Sequence, residues 1–87
     1  MRDFKFTPKR FSETQQLIQY IFAFDNNYGA VVNENSTIYN YNEPLFELYV
    51  MKKDNVQVDG YQQYAGYKTQ QEVIDILTEI SKFKKVK

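Results

Sequence analysis

Three tyrosines recur at every third residue of the segment 60–68, at Tyr61, Tyr64 and Tyr67. Small residues and glutamines separate them, which is typical of a loop. The spacing favours a 3₁₀-like turn or an extended left-handed helix, in both of which such side chains share one side. Tyrosine among small and amide residues is also typical of binding surfaces, because its ring supplies contact area at low entropic cost. We predict that Tyr61 and Tyr64 contact a partner and that Tyr67 packs against the entry to a helix beginning near Thr69.

The chain contains neither cysteine nor histidine. It therefore has no thiolate nucleophile, no disulfide and none of the imidazole groups that usually bind metals or act as general bases at neutral pH. Acid–base chemistry would require a carboxylate pair among Glu43, Glu47, Asp54 and Asp59. The glycines are too scattered to form a phosphate-binding loop. We predict a non-catalytic protein without a metal or another cofactor.

A second pair of tyrosines, Tyr39 and Tyr41, alternates with Ile38 in a predicted strand. If Ile38 faces the core, both rings face outwards. Nearby carboxylates would suit a protein partner with a basic surface. The predicted protein-binding residues are Tyr61, Tyr64, Tyr39, Tyr41, Glu43, Asp54 and Asp59. An alternative for each ring is that it covers the bare side of a sheet, with its hydroxyl group in water.

The formal net charge is zero, but the charges are unevenly distributed. Residues 1–11 and 82–87 are basic, whereas residues 12–81 contain seven more acidic than basic side chains. If the termini lie close together, the fold has one basic pole and an acidic body. Nucleic-acid binding through exposed tyrosines and terminal lysines is therefore the alternative function. The candidate residues for it are Lys82, Lys84, Lys85 and Lys87.

Two segments carry the signals of helix starts. The sequence 12–15 fits a capping box, and apolar residues follow at helical spacing, which predicts a helix over residues 9–25. A second capping box at 69–72 precedes an apolar stripe formed by Val73, Ile76, Leu77, Ile80 and Phe83. This pattern predicts a C-terminal helix with one core-facing side.

Between the two predicted helices, alternating apolar residues indicate strands. We predict strands near 30–32, 37–41, 45–51 and 56–58, with a turn at 33–36 and a further short strand at 3–7. The run 45–51 is apolar on both faces, which indicates a central strand. The predicted fold class is α+β, a small two-layer domain with an antiparallel three- to four-stranded sheet and two helices on one face.

The 87 residues predict a single domain spanning 1–87, with 83–87 as a flexible basic tail. No apolar run has the length of a membrane span and the N-terminus lacks a secretory apolar region, so we expect a cytoplasmic protein. The residue bias suggests an AT-rich genome, and an inhibitor or regulator of a host factor encoded by a phage or plasmid is a hypothesis. Homodimerisation through an open sheet face or an edge strand is compatible with each function.

Overall fold

The computed structural model describes residues 1–40, 43–57 and 60–86, without the side chains of 35–40 and 43. These residues form a curled five-stranded antiparallel sheet with neighbouring strands in chain order, and one α-helix. The strands are β1 (Arg10–Glu13), β2 (Leu17–Ala23), β3 (Tyr28–Asn40), β4 (Glu43–Lys52) and β5 (Asn55–Val56), and the helix is α1 (Gln70–Ser81). The α+β class and the antiparallel sheet are confirmed. The prediction of two helices is wrong.

The segment predicted as the first helix forms the β1–β2 hairpin. Phe11 pairs with Tyr20, and the Thr14 hydroxyl accepts a hydrogen bond from the Leu17 N–H at 3.0 Å, which organises the turn. β2 continues into β3, where Tyr20 pairs with Val32. Because residues 17–24 are mostly apolar, both helical and strand periods match them. Because β2 pairs with a strand on each side, its aromatic and β-branched residues, which favour sheets, adopt the strand conformation.

Two other local predictions are also wrong. Residues 33–36 do not turn, because β3 runs through them, with a register shift in its pairing to β4 between Glu34 and Tyr39. Residues 3–7 form no strand. Instead the ring of Phe4 inserts edge-on between those of Tyr20, at 4.9 Å, and Phe46, at 5.2 Å. The predicted strand at 45–51 is confirmed within β4, and the described part of the one at 56–58 contributes to β5.

The core lies between one face of the sheet and α1. That face carries the buried side chains Tyr20, Phe22, Ala30, Val32, Phe46, Leu48 and Val50. The helix covers them with the predicted stripe, in which Val73, Ile76, Leu77 and Ile80 are buried. The predicted capping box is confirmed, since the Thr69 side chain accepts from the Glu72 N–H and the Glu72 carboxylate accepts from the Thr69 N–H. The opposite face of the sheet carries no helix in the part of the chain that the structure describes.

The turn between β2 and β3 holds the end of α1. The buried Asn26 side chain donates to the carbonyl oxygens of Ile80, at 2.8 Å, and Phe83, at 3.1 Å, and accepts from the Tyr28 N–H at 2.9 Å. The Val86 N–H donates to the Asn26 carbonyl oxygen at 3.0 Å. Hydrogen bonds therefore join the segment after the helix to this turn.

The N-terminus holds a buried carboxylate at the sheet. The Arg2 guanidinium donates to both oxygens of Glu34, at 3.1 and 2.8 Å. The Glu34 side chain is only 3% exposed, whereas that of Arg2 is 39% exposed. The Arg2 N–H also donates to the Tyr20 hydroxyl at 2.9 Å. These contacts compensate the charge of an acid that would otherwise be costly to bury.

Candidate functional site

Among the described residues, the outer edge of β4 has backbone partners at both ends and none between them. Phe46 and Lys68 exchange two backbone hydrogen bonds of 2.8 Å, and the Gln57 N–H donates to the Val50 carbonyl oxygen at 2.8 Å. Backbone groups alternate in direction along a strand, so those of Leu48 face the same edge. Residues 58 and 59, which follow Gln57 in the chain, lie outside the described residues. Within the described part of the chain, the edge therefore contains a short gap centred on Leu48.

This gap is the floor of a groove of about 320 Å³. The groove lies between β4 and the tyrosine segment, and Gln57 lines one end of it. Its described lining residues are Glu47, Leu48, Tyr49, Val50, Gln57, Tyr61, Gln62, Ala65 and Gly66. Glu47 is the one charged residue among them. The lining combines an apolar floor with a few polar groups, which is the usual composition of a binding groove.

Two exposed tyrosines flank Glu47 on the sheet face opposite α1. Tyr49 lies two residues along β4 and therefore shares its face. The Phe46–Lys68 pair places Tyr67 opposite Glu47. Tyr49 is 40% and Tyr67 51% exposed, whereas Glu47 is half-buried. We call Glu47, Tyr49 and Tyr67 the rim triad of the groove.

The rim triad is electrostatically coupled. The Tyr49 hydroxyl donates to Oε2 of Glu47 at 3.1 Å. Burial, then the charge of Glu47 and this hydrogen bond, raise the pKa of Tyr49, with a smaller contribution from Tyr67. Among the described side chains, Glu47 has no cationic partner. The face thus presents an acid held by one tyrosine and free to accept further hydrogen bonds.

The tyrosine segment forms the predicted 3₁₀ turn, at Gln62–Tyr64, but its rings differ from prediction in exposure. Tyr64 is buried and its hydroxyl donates to Glu79 of α1 at 3.0 Å. The Tyr61 ring stacks on Tyr64, at 6.3 Å, and on Phe83, at 6.4 Å, so it contributes mainly its edge to the groove. Burial is the main cause of the raised pKa of both tyrosines. Tyr67, predicted to pack, is the most exposed ring of the three.

Other predicted protein-binding residues lie elsewhere or outside the description. Asp54 is exposed in the β4–β5 turn, with Oδ1 at 3.7 Å from Nζ of Lys9. Of Tyr39 and Glu43 only the backbone is described, in β3 and β4. Tyr41 and Asp59 lie outside the described residues.

The predicted lysine group gathers with other cations at the β2–β3 turn. The Lys53 N–H donates to the Asn27 carbonyl oxygen at 2.9 Å, and the Asn27 side chain donates to the Val86 carbonyl oxygen at 2.9 Å. These bonds bring Lys84 and Lys85, which are exposed, to the end of the fold that carries Lys53. Lys82 is the C-cap residue of α1 at the same end, and Lys87 lies outside the described residues.

The sequence did not predict Glu47 and Tyr49 as members of a candidate protein-binding surface. Glu47 was considered only as part of a carboxylate pair, and residues 45–51 were predicted as a strand covered on both faces. The available signal was that Glu47 interrupts an apolar run and that Tyr49, at the second position after it, shares its face. An acid and an exposed ring at such spacing indicate one open face.

No group of three acidic side chains close enough to hold a metal ion occurs among the described residues. The described helix is neither long nor apolar enough to cross a membrane. No protein-family model matches the chain, and neither the curated proteins nor the solved structures contain a significant match. Functional inference therefore depends on the geometry of the groove and its rim.

Proposed function

We propose that this chain is a small non-catalytic protein-binding module and that the groove with its rim triad is the contact surface. The observation that carries the proposal is the pairing of two exposed tyrosines with a half-buried acid beside an open strand edge. Tyrosine is enriched in protein interfaces because it combines apolar area with a polar tip. A role as a regulator or inhibitor of a host factor is consistent with a module that binds and does no chemistry.

The tyrosines of the proposed surface differ from those that the sequence predicted to bind a partner. The proposed surface contains Tyr67 and not Tyr64, because the hydroxyl of Tyr64 donates to Glu79 within the fold. Tyr61 keeps a supporting position, since its half-buried ring lies nearly parallel to those of Tyr64 and Phe83, with centroids 6.3 and 6.4 Å away. Tyr49 joins because it is exposed and bonded to Glu47.

A photo-reactive benzoylphenylalanine at position 67 tests the proposal in the organism that encodes the chain. We expect a cross-linked protein that is absent when the same group is placed at position 71, which is exposed on α1. The captured protein is then purified and its affinity measured by calorimetry. The double variant Tyr49→Ala with Tyr67→Ala should weaken binding at least tenfold, the effect of losing about 1.4 kcal/mol.

Thermal unfolding of the double variant provides the control. Both side chains are exposed, so the unfolding midpoint should shift little. Equal cross-linking from positions 67 and 71, or unchanged affinity of the double variant, would overturn the proposal. If the cross-linked species is a second copy of this chain, the surface is a dimer interface and sedimentation will show a concentration-dependent mass.

A second candidate function, nucleic-acid binding, is favoured by the gathering of Lys53, Lys84 and Lys85 at one end of the fold. Phosphate contacts by lysines give an affinity that falls steeply with salt. The exposed rings do not strengthen this alternative, because Tyr49 and Tyr67 flank the Glu47 carboxylate.

Binding of a fluorescein-labelled oligonucleotide at low salt separates the two candidates. Lys84→Glu with Lys85→Glu should abolish binding if this end contacts phosphates, whereas Tyr49→Ala with Tyr67→Ala should not affect it. Substitution is preferable to deletion of residues 84–87, since the backbone of Val86 bonds to Asn26 and Asn27. Absence of binding at low salt would exclude this function.

A further inference from the structure

We infer that the rim triad and groove form a receptor for a single arginine side chain presented by the partner protein. This inference rests on the proposed function and adds the chemistry of recognition. It combines four observations, which concern the carboxylate, the rings, the strand edge and the surrounding charge.

The carboxylate of Glu47 is oriented and has acceptor capacity to spare. The Tyr49 hydroxyl uses one lone pair of Oε2, at 3.1 Å. An ionised carboxylate offers about four acceptor positions, and among the described side chains only that of Tyr49 uses one. The planar fork of a guanidinium fits a carboxylate with two parallel hydrogen bonds, a match that an ammonium group cannot reproduce.

The flanking rings suit the same ligand. Tyr49 and Tyr67 lie on the same face of the sheet as Glu47, one along β4 and one across from it. Tyr49 is 40% and Tyr67 51% exposed, so both rings are partly accessible to a ligand. A guanidinium stacks on aromatic rings as well as pairing with acids, and such contacts add to the attraction when water is excluded.

The strand edge offers one further acceptor. The Leu48 carbonyl oxygen faces the outer edge of β4 and has no backbone partner within the described part of the chain. It can accept one of the arginine N–H groups that do not bond to the carboxylate.

The surrounding charge favours a cation. Glu47 is the one charged residue among the described lining residues, and no described lysine or arginine lies within salt-bridge distance of it. The Lys68 side chain lies on the α1 side of the sheet, where it lines a cavity with Glu72 and Glu79. Among the described side chains, an incoming arginine therefore meets an acid without a cationic partner.

A pair of short capped peptides tests this inference directly. One contains arginine between glycines, and the other contains citrulline, which has nearly the same shape without the charge. In two-dimensional amide NMR titrations, we expect the arginine peptide to shift the signals of residues 47–49, 57 and 61–67. The citrulline peptide should leave them unchanged, and a lysine peptide should bind more weakly than the arginine peptide.

Variants identify the acceptor. Glu47→Gln should weaken binding of the arginine peptide at least tenfold, because a neutral amide replaces the charged acceptor of the guanidinium fork. Asp75→Asn is the matched control, since Asp75 is an exposed acid on α1, and it should leave binding unchanged. Tyr49→Phe retains the ring but releases Glu47, so it should weaken binding less than Tyr49→Ala.

The outcomes separate this inference from the proposed function. Equal shifts with the arginine and citrulline peptides, shifts outside the groove, or undiminished binding to Glu47→Gln would each overturn the arginine receptor. If a partner protein cross-links at position 67 but binds Glu47→Gln as tightly as the wild type, protein binding stands and arginine recognition falls. If the arginine peptide binds the groove but no protein cross-links there, the proposed function fails while the receptor chemistry is supported.

Discussion

Asn26 is the residue whose loss should disturb the fold most for its size. Its side chain serves two carbonyl groups at the end of α1 and one N–H group in the β2–β3 turn. We expect Asn26→Ala to lower the free energy of unfolding by about 2–3 kcal/mol, because buried polar partners are left unsatisfied. Urea denaturation measures the loss.

Asn26→Asp provides the comparison. It keeps the acceptor for the Tyr28 N–H but places a carboxylate against two carbonyl oxygens, so we expect a loss at least as large as with alanine. A stability equal to that of the wild type for both variants would show that the turn does not hold the helix.

Removing one partner of the Arg2–Glu34 pair should cost more stability than replacing both. Arg2→Ala leaves a buried carboxylate without its guanidinium, and we expect a loss of about 2 kcal/mol. This is less than the roughly 3–5 kcal/mol of fully buried pairs because Arg2 is partly exposed. Arg2→Met with Glu34→Leu should recover most of that stability in the same denaturation measurement, since neither charge remains. Equal stability of Arg2→Ala and the wild type would contradict this account.

At the level of elements, the β4–β5 turn is the clearest target for stabilisation. Lys53 and Asp54 adopt φ values of 51° and 67° between the paired residues Lys52 and Asn55. Such a two-residue loop favours Asn-Gly. Lys53→Asn with Asp54→Gly should raise the unfolding midpoint by about 4–8 °C, corresponding to about 1 kcal/mol.

Calorimetry checks this expectation, and Lys52→Asn is the control because Lys52 lies within the strand. The two-residue change should retain the backbone bond from Lys53 to Asn27. A midpoint that stays constant or falls would mean that the Asp54–Lys9 contact outweighs the relief of backbone strain.

The elements that sequence predicts well are those with local signals. The capping box of Thr69 and Glu72 and the apolar stripe of α1 lie within 12 consecutive residues, so both were recognisable. Residues 17–24 are ambiguous because they match a helical and a strand period at once. Pairing of Tyr20 with Phe11 and Val32 resolves that ambiguity, and these contacts join segments that sequence alone does not bring together.

Prediction of the candidate site from the sequence is limited in the same way, by contacts between distant segments. The spacing of the tyrosines favoured a 3₁₀-like turn or an extended left-handed helix, and Gln62–Tyr64 forms a 3₁₀ turn. Which tyrosine is exposed depends on the bond from Tyr64 to Glu79, 15 residues away, and on the Phe46–Lys68 pair that positions Tyr67. Neither contact leaves a local sequence pattern.

For the whole molecule, the tyrosines whose pKa the fold raises predict loss of stability at high pH. The folded state raises the pKa of Tyr20, Tyr49, Tyr61 and Tyr64, chiefly through burial. The unfolded chain then loses these protons first, at about pH 10, which favours unfolding. Stability from this source is complete below that pH and decreases as pH rises through it.

Thermal midpoints measured across this range check the direction, with tyrosinate absorbance followed in parallel. Tyr20→Phe should make the decrease less steep, because it removes one of the shifted groups. A midpoint that is constant up to about pH 11 would contradict the prediction.

The two outer edges of the sheet bear on self-association. β1 spans four residues and carries exposed Arg10 and Glu13, while the β4 edge is interrupted by the Phe46–Lys68 and Val50–Gln57 bonds. A chain with zero net charge has little electrostatic repulsion to keep its copies apart. The short or interrupted edges oppose association of copies instead, because a neighbouring strand finds too few consecutive backbone groups to extend a ladder. The bonds that interrupt the β4 edge thus also discourage growth into fibrils along that edge.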